Sequence, residues 1–446
     1  MRIVSTYSVK IKEYNHIFNE TASIYRKSVD YFINVCANEW DSISIISSNH
    51  GRMNYVEHLC HFTEDNPEVK YSSFDKKFYK FPSYLRRGAI VEAIGKVSSY
   101  KSNLSRWESA EPKTRGKKPS PPKAGYVYPC MYRTVMYEKT GPYEAKIKVF
   151  IRNTWDWITV QLRKSDVDYI TRRGAQGEIC APTLQKRGHE WFLDYPLEEY
   201  AKLSDTNIFK QTIVAVDLGI NSAAAISVMH SDGTVIGRKI LKLPKEYDSL
   251  KHSINRIKKA QQNGNYNTPR LWAKSAGIND YISVKTAQFI MDIAVQYKAD
   301  VIVFEHLDTK GKKSGSKKQI LHMWRHRYVQ SMVAHKAHIL GMRISRVNAK
   351  GTSMYAYDGS GVVLRGKEAK LKSYSLCKFQ NGKCYNCDLS ASYNIGSRYY
   401  IREILKSLPV RERLELEAKV PQVTKRTTCT LSTLINLNAG LSTMVS

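Results

Sequence analysis

The chain has 446 residues, of which 42% are hydrophobic and 11% aromatic, a composition typical of a folded protein of two to four domains. Seventy Lys and Arg face 40 acids, and the formal charge of +30 indicates a polyanionic partner, for which nucleic acid is the main candidate. Because no apolar run reaches the roughly 18–20 residues of a membrane span and no signal peptide is visible, we expect a cytoplasmic protein without a membrane partner.

The first half of the chain is predicted to contain a helical module and a small β-barrel. An isolated strand comes first, and apolar residues at helical spacing follow, up to a basic, proline-rich linker near residue 120. Beyond residue 120 the apolar period changes to two, which favours short strands and a small barrel that the N-terminal strand completes. The 29 tyrosines and seven tryptophans lie among basic residues, so they supply stacking surfaces for nucleic acid.

The second half is predicted to alternate strands and helices. In chain order the pattern indicates three strands between residues 211 and 241, helices at 246–262 and 279–298, a strand at 301–304, a helix at 317–340 and a strand at 343–347. A hairpin sheet followed by helix-separated strands is the order of the ribonuclease-H-like nucleases. The predicted fold class is therefore α/β and multidomain.

Three acids occupy special positions in this pattern. Asp217 and Glu305 each end an apolar strand, and Asp388 precedes an apolar helical pattern. A carboxylate in a buried strand end is costly unless it is paired or binds a metal, so the three are candidate metal ligands. Taken singly, Asp217 is also compatible with an ordinary turn, Glu305 with a surface ion pair, and Asp388 with a helix-capping role.

The motifs around these acids match a known family. Residues 216–221, 304–307 and 388–395 resemble the three RuvC motifs of the transposon-encoded TnpB proteins and of the compact type V CRISPR effectors. Residues 180–193 resemble the strand pair of that family's wedge domain. The resemblance is clear over residues 125–402.

This resemblance implies an RNA-guided DNA endonuclease. Such a protein binds a guide RNA, from a transposon end or a CRISPR array, reads a short motif beside a double-stranded DNA target, and cuts at one RuvC site. Asp217, Glu305 and Asp388 would be the catalytic ligands of two Mg²⁺ or Mn²⁺ ions. The protein would act as a monomer or homodimer near the prokaryotic nucleoid. Two alternatives are a nuclease-inactive RNA-guided repressor and a ribonuclease-H-like transposase or resolvase.

The resemblance also implies a domain organisation around an RNase H-like RuvC nuclease domain. The expected parts are a first wedge strand at 1–14, a helical recognition domain with its linker at 15–120, a wedge β-barrel at 121–205, the RuvC domain with two motifs at 206–345, a degenerate zinc-ribbon-like insert for target nucleic acid at 346–387, and the last RuvC helix with a C-terminal tail at 388–446.

The insert departs from the family pattern. The family usually has two Cys-x-x-Cys pairs here, whereas this chain keeps only Cys377, Cys384 and Cys387. A structural zinc site takes four ligands, so we do not expect zinc. We expect instead an aromatic cluster, formed by Tyr355, Tyr357, Tyr374 and Tyr385.

Overall fold

The structure is a computed structural model that describes residues 1–13, 15–112, 115–174, 177–220, 222–307, 324–366, 369, 371, 373 and 375–445. The chain divides into two compact units, Arg2–Tyr200 and Ala201–Ser446 with Met1. Both contain helices and sheets, so the fold is mixed α/β with several sheets. Within the described ranges, no helix combines the length and the apolar character needed to cross a membrane.

The described residues of the N-terminal unit form five helices before its strand-rich part and a sixth helix within it. Its elements are β1 Arg2–Lys10, α1 Ile17–Asn38, α2 Trp40–Ile45, α3 Asn49–Cys60, α4 Ser73–Lys77, α5 Ser83–Glu108, β2 Tyr137–Gly141, β3 Glu144–Ile151, β4 Thr154–Gln161, α6 Lys164–Gly174, β5 Glu178–Ile179, β6 Thr183–Arg187 and β7 Glu190–Tyr200. The apolar stripe of α1 packs against α5 and β3, and Phe18, Phe32 and Val29 are fully buried there.

The strands of this unit form two antiparallel sheets. The first has β7 at its centre, paired with β1 on one side and with β5 and β6 on the other, while the second has the order β2-β3-β4. The N-terminal strand thus joins strands from residues 178–200, as its isolated position in the sequence suggested. A bridge between Ile11 and Leu162 connects the two sheets. Helix α6 interrupts the strand pattern and was not foreseen from the apolar periodicity.

The C-terminal unit is built on a five-stranded sheet with helices on both faces. Its elements are β8 Ile213–Asp217, β9 Ala224–Met229, β10 Val235–Leu241, α7 Pro244–Gln262, α8 Pro269–Gln296, β11 Val301–His306, α9 His326–Ile339, β12 Arg343–Asn348, β13 Leu364–Arg365, β14 Leu376–Lys378, β15 Cys384–Asn386, α10 Cys387–Ser407, α11 Val410–Lys419 and α12 Leu431–Val445, with short 3₁₀ turns at Ile208–Lys210 and Pro421–Thr424.

The strand order of the large sheet is β10-β9-β8-β11-β12. Strands β10, β9 and β8 are antiparallel, and β8, β11 and β12 are parallel. Successive side chains of a strand point to opposite faces, so each apolar strand feeds two cores. Ile213, Ala215, Val301 and Val303 pack with α10 and α12, and the alternate residues Val214, Val216, Ile302 and Phe304 pack with α8 and α9.

Helix α10 lies unusually close to the sheet. A Cβ added at Gly396 would come within 2.5 Å of the Met229 sulfur and 3.2 Å of the Ala215 Cβ. A side chain at this crossing would therefore force Met229 or the helix to shift. The Tyr400 hydroxyl donates to the carbonyls of Gln211 and Met229, at 2.7 and 2.9 Å, and fixes the helix along the sheet.

The segment between β12 and α10 carries a small antiparallel sheet of order β13-β14-β15. Four aromatic side chains of this region, Tyr357, Phe379, Tyr385 and Tyr393, form a cluster with ring-centroid distances of 5.0–6.1 Å. The expected aromatic cluster is therefore confirmed for Tyr357 and Tyr385. Tyr355 makes no ring contact with the described part of this cluster, and Tyr374 lies outside the described residues.

Two expectations about elements need correction or restriction. The helix expected over 317–340 begins only at His326, and its expected residues 317–323 lie outside the described ranges. The scattered spacing of the eight cysteines predicts reduced core thiols. Cys36, Cys60, Cys377, Cys387 and Cys429 are buried, but Cys130 and Cys180 are half-buried and Cys384 is exposed.

Candidate active site

Asp217 and Glu305 lie side by side at the ends of two parallel strands. The register pairs Val216 with Phe304, so the acids that follow stand at the carboxyl ends of β8 and β11. By the period of two, both continue the positions of Ala215 and Val303 and face the side of the sheet that α10 covers. The surface alternative for Glu305 is wrong, because the residue is only 8% exposed.

Asp388 approaches the same place from the start of α10. Asn386 is the N-cap residue, and its side-chain oxygen accepts the Leu389 N–H at 2.9 Å, so Asp388 lies in the first helical turn. The positive end of the helix dipole favours a carboxylate there. The cap is thus supplied by Asn386, and Asp388 is not needed for it.

Burial and the two other acids act on the pKa of Asp217. Burial raises the pKa of Asp217 well above its ordinary value, and the charges of Glu305 and Asp388 raise it further. Burial also raises the pKa of Glu305. The hydrogen bond from Thr352 and the charge of Arg398 lower this pKa, but burial has the larger effect. Asp217 is half-buried at the end of β8. Burial removes water from around its carboxylate, and this is the main cause of its raised pKa.

A threonine that sequence reasoning missed holds Glu305. The Thr352 hydroxyl contacts the Glu305 carboxylate as a donor and lies 3.0 Å from the carbonyl oxygen of Ala349. Thr352 is 2% exposed, and the Gln330 side chain donates to the Glu305 backbone carbonyl at 3.1 Å. Both the side chain and the backbone of Glu305 are therefore fixed by hydrogen bonds.

Two polar residues of α10 hold the loop that carries Thr352. The Asn394 amide donates to the carbonyls of Thr352 and Tyr355, at 2.9 and 2.8 Å. The buried Arg398 guanidinium, one turn further on, donates to backbone carbonyls at positions 348, 350, 427 and 429 at 2.6–3.2 Å. The two residues are four apart, so they share one face of the helix, and this spacing was the sequence signal available.

Arg365 is a second residue that the sequence did not single out. Its side chain is exposed, and it donates to the Ser353 carbonyl at 2.6 Å. The positive charge of Arg365 lowers the pKa of Asp217, whereas burial and the neighbouring acids raise it. Arg365 is therefore a cation near the acids. It lies on β13, in a segment whose sequence has no periodic pattern, so no local signal marked it.

The donor set fits a hard divalent cation. Carboxylate oxygens are the preferred protein ligands of Mg²⁺, and the raised pKa values show negative charge that the surrounding protein leaves poorly compensated. The described residues contain no set of three His, Cys, Asp or Glu side chains already gathered tightly enough to hold a metal ion. Asp217 and Glu305 therefore lie at one edge of the sheet, and the charge of Asp388 acts on Asp217. The three side chains are not arranged as a complete set of metal ligands.

Of the three cysteines of the insert, Cys377 contacts Cys387, whereas Cys384 lies on the opposite face of the small sheet from Cys377. Cys377 pairs with Tyr385 and Cys384 with Lys378, so adjacent positions of the ladder place Cys377 and Cys384 on opposite faces. The Cys377 thiol donates to Cys387, which raises the pKa of Cys377 and lowers that of Cys387. This arrangement disfavours a shared ligand role, and the expectation that zinc is not bound stays a prediction.

Fold and site together define a class: an α/β protein with a mixed sheet and three acids at one edge. The Aq_aa04 family model matches residues 5–151. A TnpB-like protein of Aquifex aeolicus (strain VF5), aq_aa05, is 29% identical over an alignment of 237 residues, and the match covers 47% of this chain and 74% of that protein. The resemblance to TnpB-like proteins is thereby confirmed.

Solved structures similar to this chain include two CRISPR effectors. One is a Cas12f1–sgRNA–target DNA complex, with 14% identity and a TM-score of 0.34, covering 88% of this chain and 98% of that one. The other is the mini-RNA-guided endonuclease CRISPR-Cas_phi3, with 11% identity and a TM-score of 0.47, covering 88% and 92%.

Proposed function

We propose that this chain is an RNA-guided DNA endonuclease. The proposal is supported by the adjacent parallel strand ends that carry Asp217 and Glu305, and by the charge of Asp388, in the first turn of α10, which raises the pKa of Asp217. The TnpB-like relative and the net charge of +30 support a nucleic-acid substrate and a guide RNA. Double-stranded DNA with a short flanking motif is the proposed target.

Asp217, Glu305 and Asp388 would hold the divalent cations. When bound, two Mg²⁺ ions supply the attacking hydroxide and stabilise the leaving oxygen of the phosphodiester. Thr352 keeps Glu305 in one orientation, and the exposed Arg365 is available to contact the scissile phosphate. The residues thus have separate tasks: the acids bind metal, the threonine orients, and the arginine neutralises substrate charge.

The proposed domains keep the boundaries expected from the resemblance. The strand at 1–14 and residues 121–205 would form a wedge domain, in which β6 and β7 are the strand pair that resembles the family, and residues 15–120 would form the recognition domain. Residues 206–345 and 388–446 would make the RuvC domain, with the insert at 346–387 contacting target strands. The guide RNA would bind wedge and RuvC parts, and the N-terminal half would read the flanking motif.

The test compares the wild-type protein with Asp217→Ala and with Asp248→Ala, an exposed aspartate on α7. RNA that co-purifies with the wild type is sequenced, and its complement is placed in DNA beside a randomised flank. We expect Mg²⁺-dependent cleavage by the wild type and by Asp248→Ala, and no cleavage by Asp217→Ala, which still carries the RNA.

The outcomes separate the alternatives. Cleavage that persists in Asp217→Ala would remove the assignment of the site. A wild type that binds RNA and target without cutting would be a repressor. A wild type that carries no RNA and cuts branched DNA would be a resolvase.

A further inference from the structure

The N-terminal unit contains a cavity that the proposed nuclease site does not use. It has a volume of about 470 Å³ and lies between the two sheets and α6. Pockets that bind small ligands or parts of ligands range from about 300 to 1,000 Å³, so this one is large enough for a planar ring with its sugar. The cavity is partly open to solvent.

The walls of the cavity are apolar and come from distant parts of the unit. Val9 of β1, Leu162 after β4, and Val167 and Ile170 of α6 line it and are buried. Three separate segments thus leave this volume unfilled, although protein interiors normally pack without voids of such size. An apolar, flat-sided occupant would recover the lost contacts.

Two tyrosines supply the polar groups inside the cavity. The Tyr195 hydroxyl donates to the Tyr137 hydroxyl at 3.0 Å, so the proton of Tyr137 is left to point at an acceptor. Burial raises the pKa of both tyrosines, against the charge of Arg133. Both hydroxyls therefore stay protonated at neutral pH and can act as donors.

The mouth of the cavity is cationic and conformationally strained. Arg133 and Lys139 lie at the rim with exposed side chains, beside Glu138. Thr134, between them, has φ of +61°, a left-handed conformation that a β-branched residue rarely adopts, and its N–H donates to the Tyr137 carbonyl at 3.0 Å. Backbone strain of this kind persists where the surrounding structure enforces it, often at ligand sites.

We propose that this cavity binds one unstacked nucleotide of a single-stranded nucleic acid. The base would enter between the apolar walls, one of its acceptors would meet the Tyr137 hydroxyl, and its phosphate would lie at Arg133 and Lys139. A nucleotide joins a flat ring, an acceptor edge and an anion in one molecule, and the cationic rim matches its charge. The inference rests on the proposed function in one respect, the presence of a nucleic-acid partner.

The experiment measures binding by the full chain after nuclease treatment. Fluorescein-labelled 20-nucleotide RNA and DNA strands of one mixed sequence are titrated, and binding is followed by anisotropy. Val9→Trp fills the cavity, and Val4→Trp on the same strand is the matched control because Val4 is 46% exposed. Tyr137→Phe removes only the hydroxyl, so it keeps the shape of the cavity if Val9→Trp fails to fold.

We expect Val9→Trp to weaken binding about tenfold, because the tryptophan side chain takes the place of the base between the apolar walls. Tyr137→Phe should weaken it several-fold, and Val4→Trp should bind as the wild type does. Ultraviolet cross-linking should attach the strand to a peptide that contains Tyr137 or Tyr195. A loss confined to RNA identifies the nucleotide as part of the guide, and a loss confined to DNA as part of the target.

Wild-type affinity of folded Val9→Trp and Tyr137→Phe for both strands would overturn the cavity proposal and leave the nuclease proposal intact. A wild type that binds neither strand would overturn both. Retention of an apolar small molecule by the nuclease-treated protein, seen by native mass spectrometry and lost in Val9→Trp, would also overturn the nucleotide assignment.

Discussion

The replacement Thr352→Val tests whether orientation of Glu305 matters for cleavage. Valine keeps the branched shape of threonine and removes the hydroxyl, which is the only change in a side chain that is 2% exposed. The hydroxyl has one proton and two neighbouring acceptors, the Glu305 carboxylate and the Ala349 carbonyl. Its loss leaves the carboxylate without this donor, while the carbonyl keeps a second lone pair for other partners.

The expected size of the effect follows from the charge of the acceptor. A hydrogen bond to a charged group contributes about 1.5–3 kcal/mol, equivalent to about 10- to 150-fold. Because the proton is shared between two acceptors, we expect the lower part of that range, a fall of about 10- to 30-fold in the cleavage rate at limiting Mg²⁺. In the wild type, the hydrogen bond from Thr352 lowers the pKa of Glu305. Without it the pKa of Glu305 should be higher, so the variant should also need a higher pH for half-maximal cleavage.

The assay is single-turnover cleavage of target DNA across a series of Mg²⁺ concentrations and pH values. Binding of Mn²⁺ to the same proteins, followed by electron paramagnetic resonance, gives a readout that does not depend on turnover. Thr352→Ser is the matched control, because it restores the hydroxyl and should return the rate, the pH profile and Mn²⁺ binding to near the wild type. Equal rates for Thr352→Val and wild type at limiting Mg²⁺ would refute the positioning role.

Three further predictions concern charge and stability. The metal-free wild type should lose thermal stability as the pH rises from about 4 towards 8. The reason is the raised pKa of Asp217, because of which the folded state holds this proton more tightly than the unfolded chain does. Asp217→Asn should flatten this dependence in calorimetric scans across pH. Arg365→Ala should slow cleavage about tenfold or more without changing the melting temperature, since the side chain is exposed; an unchanged rate would argue against a phosphate contact. Arg398→Met should lower the free energy of unfolding in urea by about 3 kcal/mol or more, because several buried carbonyls lose their donor, whereas Arg411→Met at an exposed site should change it by less than about 0.5 kcal/mol.

The apolar strands of the C-terminal unit could be predicted because their signal is local. The run from Ile213 to Val216 and the run from Val301 to Phe304 are wholly buried, as a strand between two helical layers requires. The start of α8 was harder to place. Its apolar stripe becomes dense only near residue 279, yet the helix begins at Pro269, where proline at the first helical position was the available signal.

The acids of the site were visible in the sequence for the same reason. Each follows or precedes an apolar segment, so its position in the fold is set by neighbours in the chain. Thr352 and Arg365 act from segments without periodicity, and their partners Glu305 and Asp217 are more than 40 residues away in sequence. No local pattern records such a contact, so only coordinates reveal it.

The C-terminal tail, which showed no motif, acquires a physical role through Arg398. Its guanidinium joins the carbonyls of Asn348 and Lys350 in the loop before Thr352 to those of Thr427 and Cys429 in the tail. A buried guanidinium must have its donors satisfied, so the loop and the tail each depend on the other being in place. The loop and the tail, which both lack a periodic sequence pattern, are therefore fixed to α10, the helix that carries Asp388. In this way the orientation of Glu305 depends on a tail far from it in the sequence.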